Sequence, residues 1–162
     1  RVAASRNDGV AGARSARSAD DGSYELLGVG PGRHLVAVRA EGFAPVVGLE
    51  VEVSEVGAEL DVELVRGTAV RVLVLAADGT PALGAVADLK PVAGTATTER
   101  PEQALETWFA GKGVAGADGV VDLGRVAPGT YDLVVSRGGF EAVKEGVEVP
   151  DEGELELEAR LP

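Results

Sequence analysis

The chain has 162 residues, no cysteine and a formal net charge of −12. The absence of cysteine excludes disulfides and thiolate metal sites, and the excess of acidic residues disfavours binding to nucleic acid or to an anionic membrane surface. No apolar run approaches the roughly 20 residues that a membrane-spanning helix needs, so membrane insertion is not expected. The chain also lacks methionine, and we expect it to be a piece of a longer protein.

Alternating apolar and polar residues, the pattern of half-buried strands, run through the first part of the chain. Asp21-Gly22 and Pro31-Gly32 interrupt the pattern and suit tight turns, because glycine adopts positive φ without steric cost. The predicted strands of this part are, in order, 1–5, 24–26, 35–40, 50–53 and 60–64.

The same pattern resumes after Gly67 and continues to the last residues. Its turns are Asp78-Gly79, Asp118-Gly119 and Pro128-Gly129. The long helical crossovers of a parallel α/β fold are missing, so many short strands at regular turn spacing predict antiparallel β-sandwiches. The predicted strands are 68–76, 85–90, 133–135, 147–149 and 155–161.

The chain contains an internal repeat. Asp-Gly at 21 and 118, Pro-Gly at 31 and 128, and Gly-Phe at 42 and 139 are all 97 residues apart. A spacing kept through two turns and a strand predicts two copies of one folded unit. We therefore predict two tandem antiparallel β-sandwiches, residues 1–66 and 67–162, joined by a single glycine and forming a stiff pair.

The two copies differ in two places. The first unit lacks a counterpart of the strand at 68–76, so we expect an exposed edge that an upstream segment or another chain fills. The second unit has an insertion at 93–111, where Pro101 and Gly111 suit the start and end of a short helix. Leu105, Trp108 and Phe109 would share one face of that helix.

The segments 21–43 and 118–140 resemble the carboxypeptidase regulatory-like domain, and 78–85 is similar to the opening hairpin of that family. The resemblance covers almost the whole chain outside the insertion. It implies a transthyretin-like, seven-stranded β-sandwich. It also implies an accessory module of a secreted or cell-surface protein, often in tandem, without chemistry of its own.

Two residues are candidates for a structural corner. Tyr131 follows the Pro-Gly turn, where its hydroxyl would bond to an upstream main-chain group. His34, the only histidine, occupies the matching place in the first unit. We interpret His34 as a substitute for the corner aromatic residue, because a metal or catalytic site requires several such groups.

The side-chain inventory argues against an enzyme. The chain has one histidine and two tyrosines, Tyr24 and Tyr131, which lie in different repeats. Ser23 lies in a predicted strand without a nucleophile elbow, and no pattern brings two carboxylates into one cleft. We therefore predict no catalysis and no cofactor.

Two covalent or metal-based alternatives are also disfavoured. Asp20-Asp21-Gly22 and Asp118-Gly119 lack the spacing of a calcium loop and suit hairpin turns better, so no metal site is predicted. A Lys–Asn isopeptide bond would need Asn7, the only asparagine, whereas the three lysines lie in the other unit. An aspartate partner for one of those lysines stays open.

Leu105, Trp108 and Phe109 form the candidate partner-binding patch. The favoured interpretation is that Trp108 is buried against its own sandwich, and the alternative is that it binds a protein or stacks on a sugar. We expect a structural module that acts as a stiff spacer and contacts a protein partner or neighbouring domains. The alternative is a carbohydrate-binding module that uses Trp108.

Overall fold

The computed structural model describes residues 2–6, 14–92 and 111–162. These residues form eleven strands and no helix, so the all-β prediction is confirmed for the described part of the chain. None of the described segments is an apolar helix of the length that a bilayer crossing requires. The described residues divide into two compact units, one ending at Leu64 and the other beginning at Val65.

The first unit contains one four-stranded antiparallel sheet, in the order β2-β1-β3-β4. Val36 and Val38 of the third strand are buried on one face, where Tyr24, Leu26, Leu60, Val62 and Leu64 pack against them together with residues of the fourth strand. The strands are β1 (Val2–Arg6), β2 (Arg14–Ala16), β3 (Gly32–Val38) and β4 (Val46–Val53).

The second unit contains a four-stranded and a three-stranded sheet, in the orders β7-β6-β9-β10 and β11-β5-β8. Inward residues of both sheets share one core, which includes Val72, Val121, Leu133 and Val147. The strands are β5 (Gly67–Leu75), β6 (Val86–Pro91), β7 (Lys112–Val114), β8 (Val120–Val126), β9 (Gly129–Arg137), β10 (Phe140–Val149) and β11 (Glu152–Arg160).

The prediction of purely antiparallel pairing is wrong for the last strand. β11 runs parallel to β5, with Leu157 opposite Val72 and Ala159 opposite Val74. The other side of β5 pairs antiparallel with β8. The alternation at 155–161 was sufficient to predict a strand, but alternation carries no information about direction, because both pairings place side chains on alternate faces.

The expectation that the strand absent from the first unit is an edge strand is also wrong. Its counterpart, β5, is the central strand of the three-stranded sheet. The residues at 24–26 and 60–64, both predicted as strands, form no strand in the first unit. Their counterparts in the second unit pair with β5, whereas residues 2–6 and 14–64 of the first unit include no strand between these segments.

Candidate binding site

His34 lies on β3 and is buried, with 4% of its surface exposed. Its Nε2 lies 2.8 Å from the carbonyl oxygen of Gly30, four residues upstream. Because a carbonyl oxygen only accepts, Nε2 carries the hydrogen in this contact. The imidazole thus closes the turn that leads into β3.

Tyr131 has the same role in the second unit. It lies on β9 with 6% of its surface exposed, and its hydroxyl donates to the carbonyl oxygen of Ala127 at 2.9 Å. Ala127 precedes Tyr131 by four residues, as Gly30 precedes His34. Both side chains predicted to form a corner therefore bond to the equivalent main-chain carbonyl.

The main-chain hydrogen bonds of the Asp-Gly turns at 21–22 and 118–119 also match. Gly22 N donates to Ala19 O and Gly119 N to Gly116 O, at 3.0 Å in each case. The Asp21 carboxylate accepts hydrogen bonds from the Ser23 hydroxyl and from the Ser23 main-chain N–H, and these bonds hold the pKa of Asp21 below its usual range. The carboxylates of Asp21 and Asp118, two of those considered above as calcium ligands, each accept a main-chain hydrogen bond within their own turn. Within the described ranges, no group of three or more His, Cys, Asp or Glu side chains is placed to hold a metal ion.

The candidate patch of Leu105, Trp108 and Phe109 lies outside the described residues, as do the predicted helix and Asn7. The described structure therefore offers a different candidate site, which the sequence analysis did not single out.

This site is a cleft of about 860 Å³ in the first unit. His34 and Val36 of β3 and Val51 and Val53 of β4 line it on the side of the sheet. The segments 22–26 and 56–61 also line it. Neither of these two segments is a strand in the described structure.

The second unit has a strand at the matching position. The 97-residue offset relates Tyr24 to Val121 of β8 and Leu60 to Leu157 of β11. Val121 and Leu157 both pair with Val72, one from each side. The cleft of the first unit therefore occupies the place that β5 fills in the second. We call it the strand cleft.

Tyr24 bridges the strand cleft. Its hydroxyl donates to the carbonyl oxygen of Leu60 at 2.7 Å. Burial raises the pKa of the Tyr24 phenol, and the negative charge of Asp61 raises it further. The tyrosine thus joins the two segments that a central strand would otherwise connect.

Acidic side chains line the rim of the strand cleft. Glu25, Glu59 and Asp61 are exposed and belong to its lining. In the second unit, the counterparts of Glu25 and Glu59 are Asp122 and Glu156, and both are register partners of Arg71 on β5. Both acidic positions are therefore shared by the two units.

The sequence placed Tyr24 in a predicted strand and counted it among the tyrosines that could serve an enzyme, but it did not indicate this site. The signal that would have found it is the same repeat, extended to residues 58–64 and 155–161, which alternate in phase at the 97-residue offset. No protein-family model and no curated protein matches the chain.

Proposed function

We propose that the chain is a pair of tandem β-sandwich modules of the carboxypeptidase regulatory-like type. In this proposal it is a non-catalytic part of a secreted or cell-surface protein and acts as a stiff spacer and a protein-contact unit. The family and the location rest on the resemblance of 21–43 and 118–140 to that domain.

One observation carries the proposal. The four-stranded sheet occurs twice with the same strand order, β2-β1-β3-β4 and β7-β6-β9-β10, and each copy is closed by the same corner bond. His34 and Tyr131, two side chains capable of acid–base chemistry, are both buried and bonded to main-chain carbonyls. Because both side chains make hydrogen bonds within the fold, this arrangement favours a structural role over a catalytic one.

The stiff-spacer part is tested by distance measurements between the units. The chain has no cysteine, so Glu55→Cys and Glu141→Cys, both at exposed positions, give one spin label in each unit. We expect electron–electron double resonance to give a narrow distribution of distances between the two labels, because only a short joint separates the units. Inserting about ten Gly and Ser residues after Val65 should broaden it.

A second label pair, Glu141→Cys with Glu154→Cys, lies within the second unit and gives the width that the labels alone contribute. A native distribution as broad as that of the chain with the flexible insertion would refute the spacer role.

A further inference from the structure

We propose that Arg125 stiffens the joint between the two units by binding main-chain carbonyls at the point where the joint enters β5. The proposal rests on the spacer role above and deepens it, since it names a side chain on which the stiffness of the joint depends.

The joint is short and ends in a glycine. The first unit ends at Leu64, and the second begins at Val65. Val65 and Arg66 are exposed and lie outside the strands, whereas Gly67 is the buried first residue of β5. Gly67 has φ +63°, in the left-handed region, so the chain turns as it enters the strand. Because glycine populates many backbone conformations, this turn is the point at which the joint would bend most readily.

Arg125 of β8 binds the main chain at this turn. Its Nη1 donates to the carbonyl oxygen of Gly67 at 2.8 Å, and a longer contact of 3.4 Å joins the same nitrogen to the carbonyl oxygen of Arg66. Hydrogen bonds from a charged donor are stronger than those between neutral groups. The bond to Gly67 is also partly buried, where water competes less for the carbonyl. Arg125 therefore holds main chain on both sides of the start of β5.

A bulge in β8 places Arg125 beside the joint. The register between β5 and β8 shifts by one residue between Asp122 and Gly124, and the Gly124 N–H donates to the Asp122 carboxylate at 2.8 Å. Bulges bend a strand and change the direction of the side chains that follow. Arg125, the next residue, is the register partner of Ala69. Ala69 lies two residues after Gly67, or about 7 Å along the strand, which an arginine side chain can span.

These contacts restrict the rotations that would let the joint bend. The main chain has two soft dihedral angles per residue, because the peptide group itself is planar. An oriented Arg66 carbonyl fixes the peptide group between Arg66 and Gly67, and an oriented Gly67 carbonyl fixes the next peptide group. The direction in which the chain leaves the second unit is therefore held by Arg125.

The experiment repeats the distance measurement between Glu55→Cys and Glu141→Cys in the variant Arg125→Met. Methionine keeps most of the apolar stem of the side chain and removes its donors. We expect the distance distribution to become about twofold wider, because the joint loses a restraint. Hydrogen exchange at residues 66–69 should become about tenfold faster, since a hydrogen bond to a charged group is lost.

The matched control is Arg71→Met. Arg71 is an exposed arginine of β5, in the same three-stranded sheet, and its replacement removes the same charge. This variant should leave the distance distribution and the exchange at residues 66–69 unchanged. The label pair within the second unit, Glu141→Cys with Glu154→Cys, should keep its width in Arg125→Met.

Three results would overturn the proposal. The first is a native distribution that is narrow and stays narrow in Arg125→Met, which leaves the spacer role intact. The second is equal broadening by Arg71→Met, because the effect is then one of charge. The third is broadening of the label pair within the second unit, because Arg125 then holds the fold of that unit and not the joint. The spacer role itself is decided by the native chain and its flexible insertion, so the two failures are distinguishable.

Discussion

At the scale of single residues, two different side chains satisfy the same main-chain requirement. The carbonyls of Gly30 and Ala127 each sit at a turn before a sheet strand, and each needs a donor from the core side. An imidazole N–H in the first unit and a phenol O–H in the second supply it. The position demands a buried ring with a donor at its far end, so His34 is explained without a ligand or a reaction.

Removing the donor at this position should cost stability without changing the fold. Tyr131→Phe keeps the ring and loses the bond to Ala127, so we expect the second unit to become less stable by about 1–3 kcal/mol, because an acceptor is left without this partner. Urea denaturation, monitored by hydrogen exchange of the β9 amides, measures the change in the free energy of unfolding. Tyr24→Phe should leave β9 unaffected, and an equal effect from both variants would contradict the assignment.

Gly22 and Gly119, at equivalent positions of the two repeats, allow the cost of backbone strain to be distinguished from the cost of a steric clash. Gly22 has φ +85° and Gly119 has φ +76°. A Cβ at Gly22 would meet nothing within 4 Å, whereas one at Gly119 would lie 2.7 Å from the Val74 carbonyl oxygen. Gly22→Ala should lower the free energy of unfolding by roughly 1–3 kcal/mol through backbone strain alone. Gly119→Ala should lower it clearly more, because the new Cβ also meets the Val74 carbonyl oxygen. Thermal unfolding of the two variants checks this, and equal shifts would contradict the packing argument.

The raised pKa of Tyr24 predicts a loss of stability at high pH. Burial and the charge of Asp61 both favour the neutral phenol in the folded first unit, so its pKa lies above that of the unfolded chain. The resulting stabilisation is complete below about pH 10 and is lost as the pH rises through the folded pKa. Urea midpoints of the first unit between about pH 8 and pH 12 measure this. Tyr24→Phe is the control, and parallel pH profiles for the two proteins would contradict the prediction.

At the scale of elements, the sequence predicted strands but not their partners. The segments 58–64 and 155–161 alternate in the same way, yet only the second becomes a strand, because β5 lies beside it. Turn residues and alternating apolar residues are local patterns, so the sequence alone was sufficient to predict the turns and the strands, as the matching Asp-Gly turns show. The strand cleft depends on a strand that the described first unit does not contain, and no local pattern reports that.

The anchoring of β5 gives a prediction at this scale. Thr68, near the start of the strand, is fully buried, and its hydroxyl donates to the Pro150 carbonyl at 2.6 Å, which ties β5 to the turn between β10 and β11. Thr68→Val should destabilise the second unit by about 1–3 kcal/mol, since it leaves a carbonyl without its partner. Chemical denaturation measures the change. Thr80→Val, at an exposed turn, should have a smaller effect, and the reverse order would count against this role of Thr68.

At the scale of the whole molecule, the two units carry the same sheet but unequal cores. The second unit packs a second sheet around Val70, Val72 and Val74, all fully buried. The first unit has at the matching place a cleft closed by one tyrosine bond. Since each buried valine contributes about 1.5–3 kcal/mol, the first unit should be markedly the less stable of the two.

Unfolding should therefore occur in two steps, with the first unit unfolding at the lower denaturant concentration. Hydrogen exchange along a urea series resolves the steps, because peptides from β3 and β4 should lose protection before those from β5 and β9. A single coincident transition for all strands would show that the units do not differ in this way.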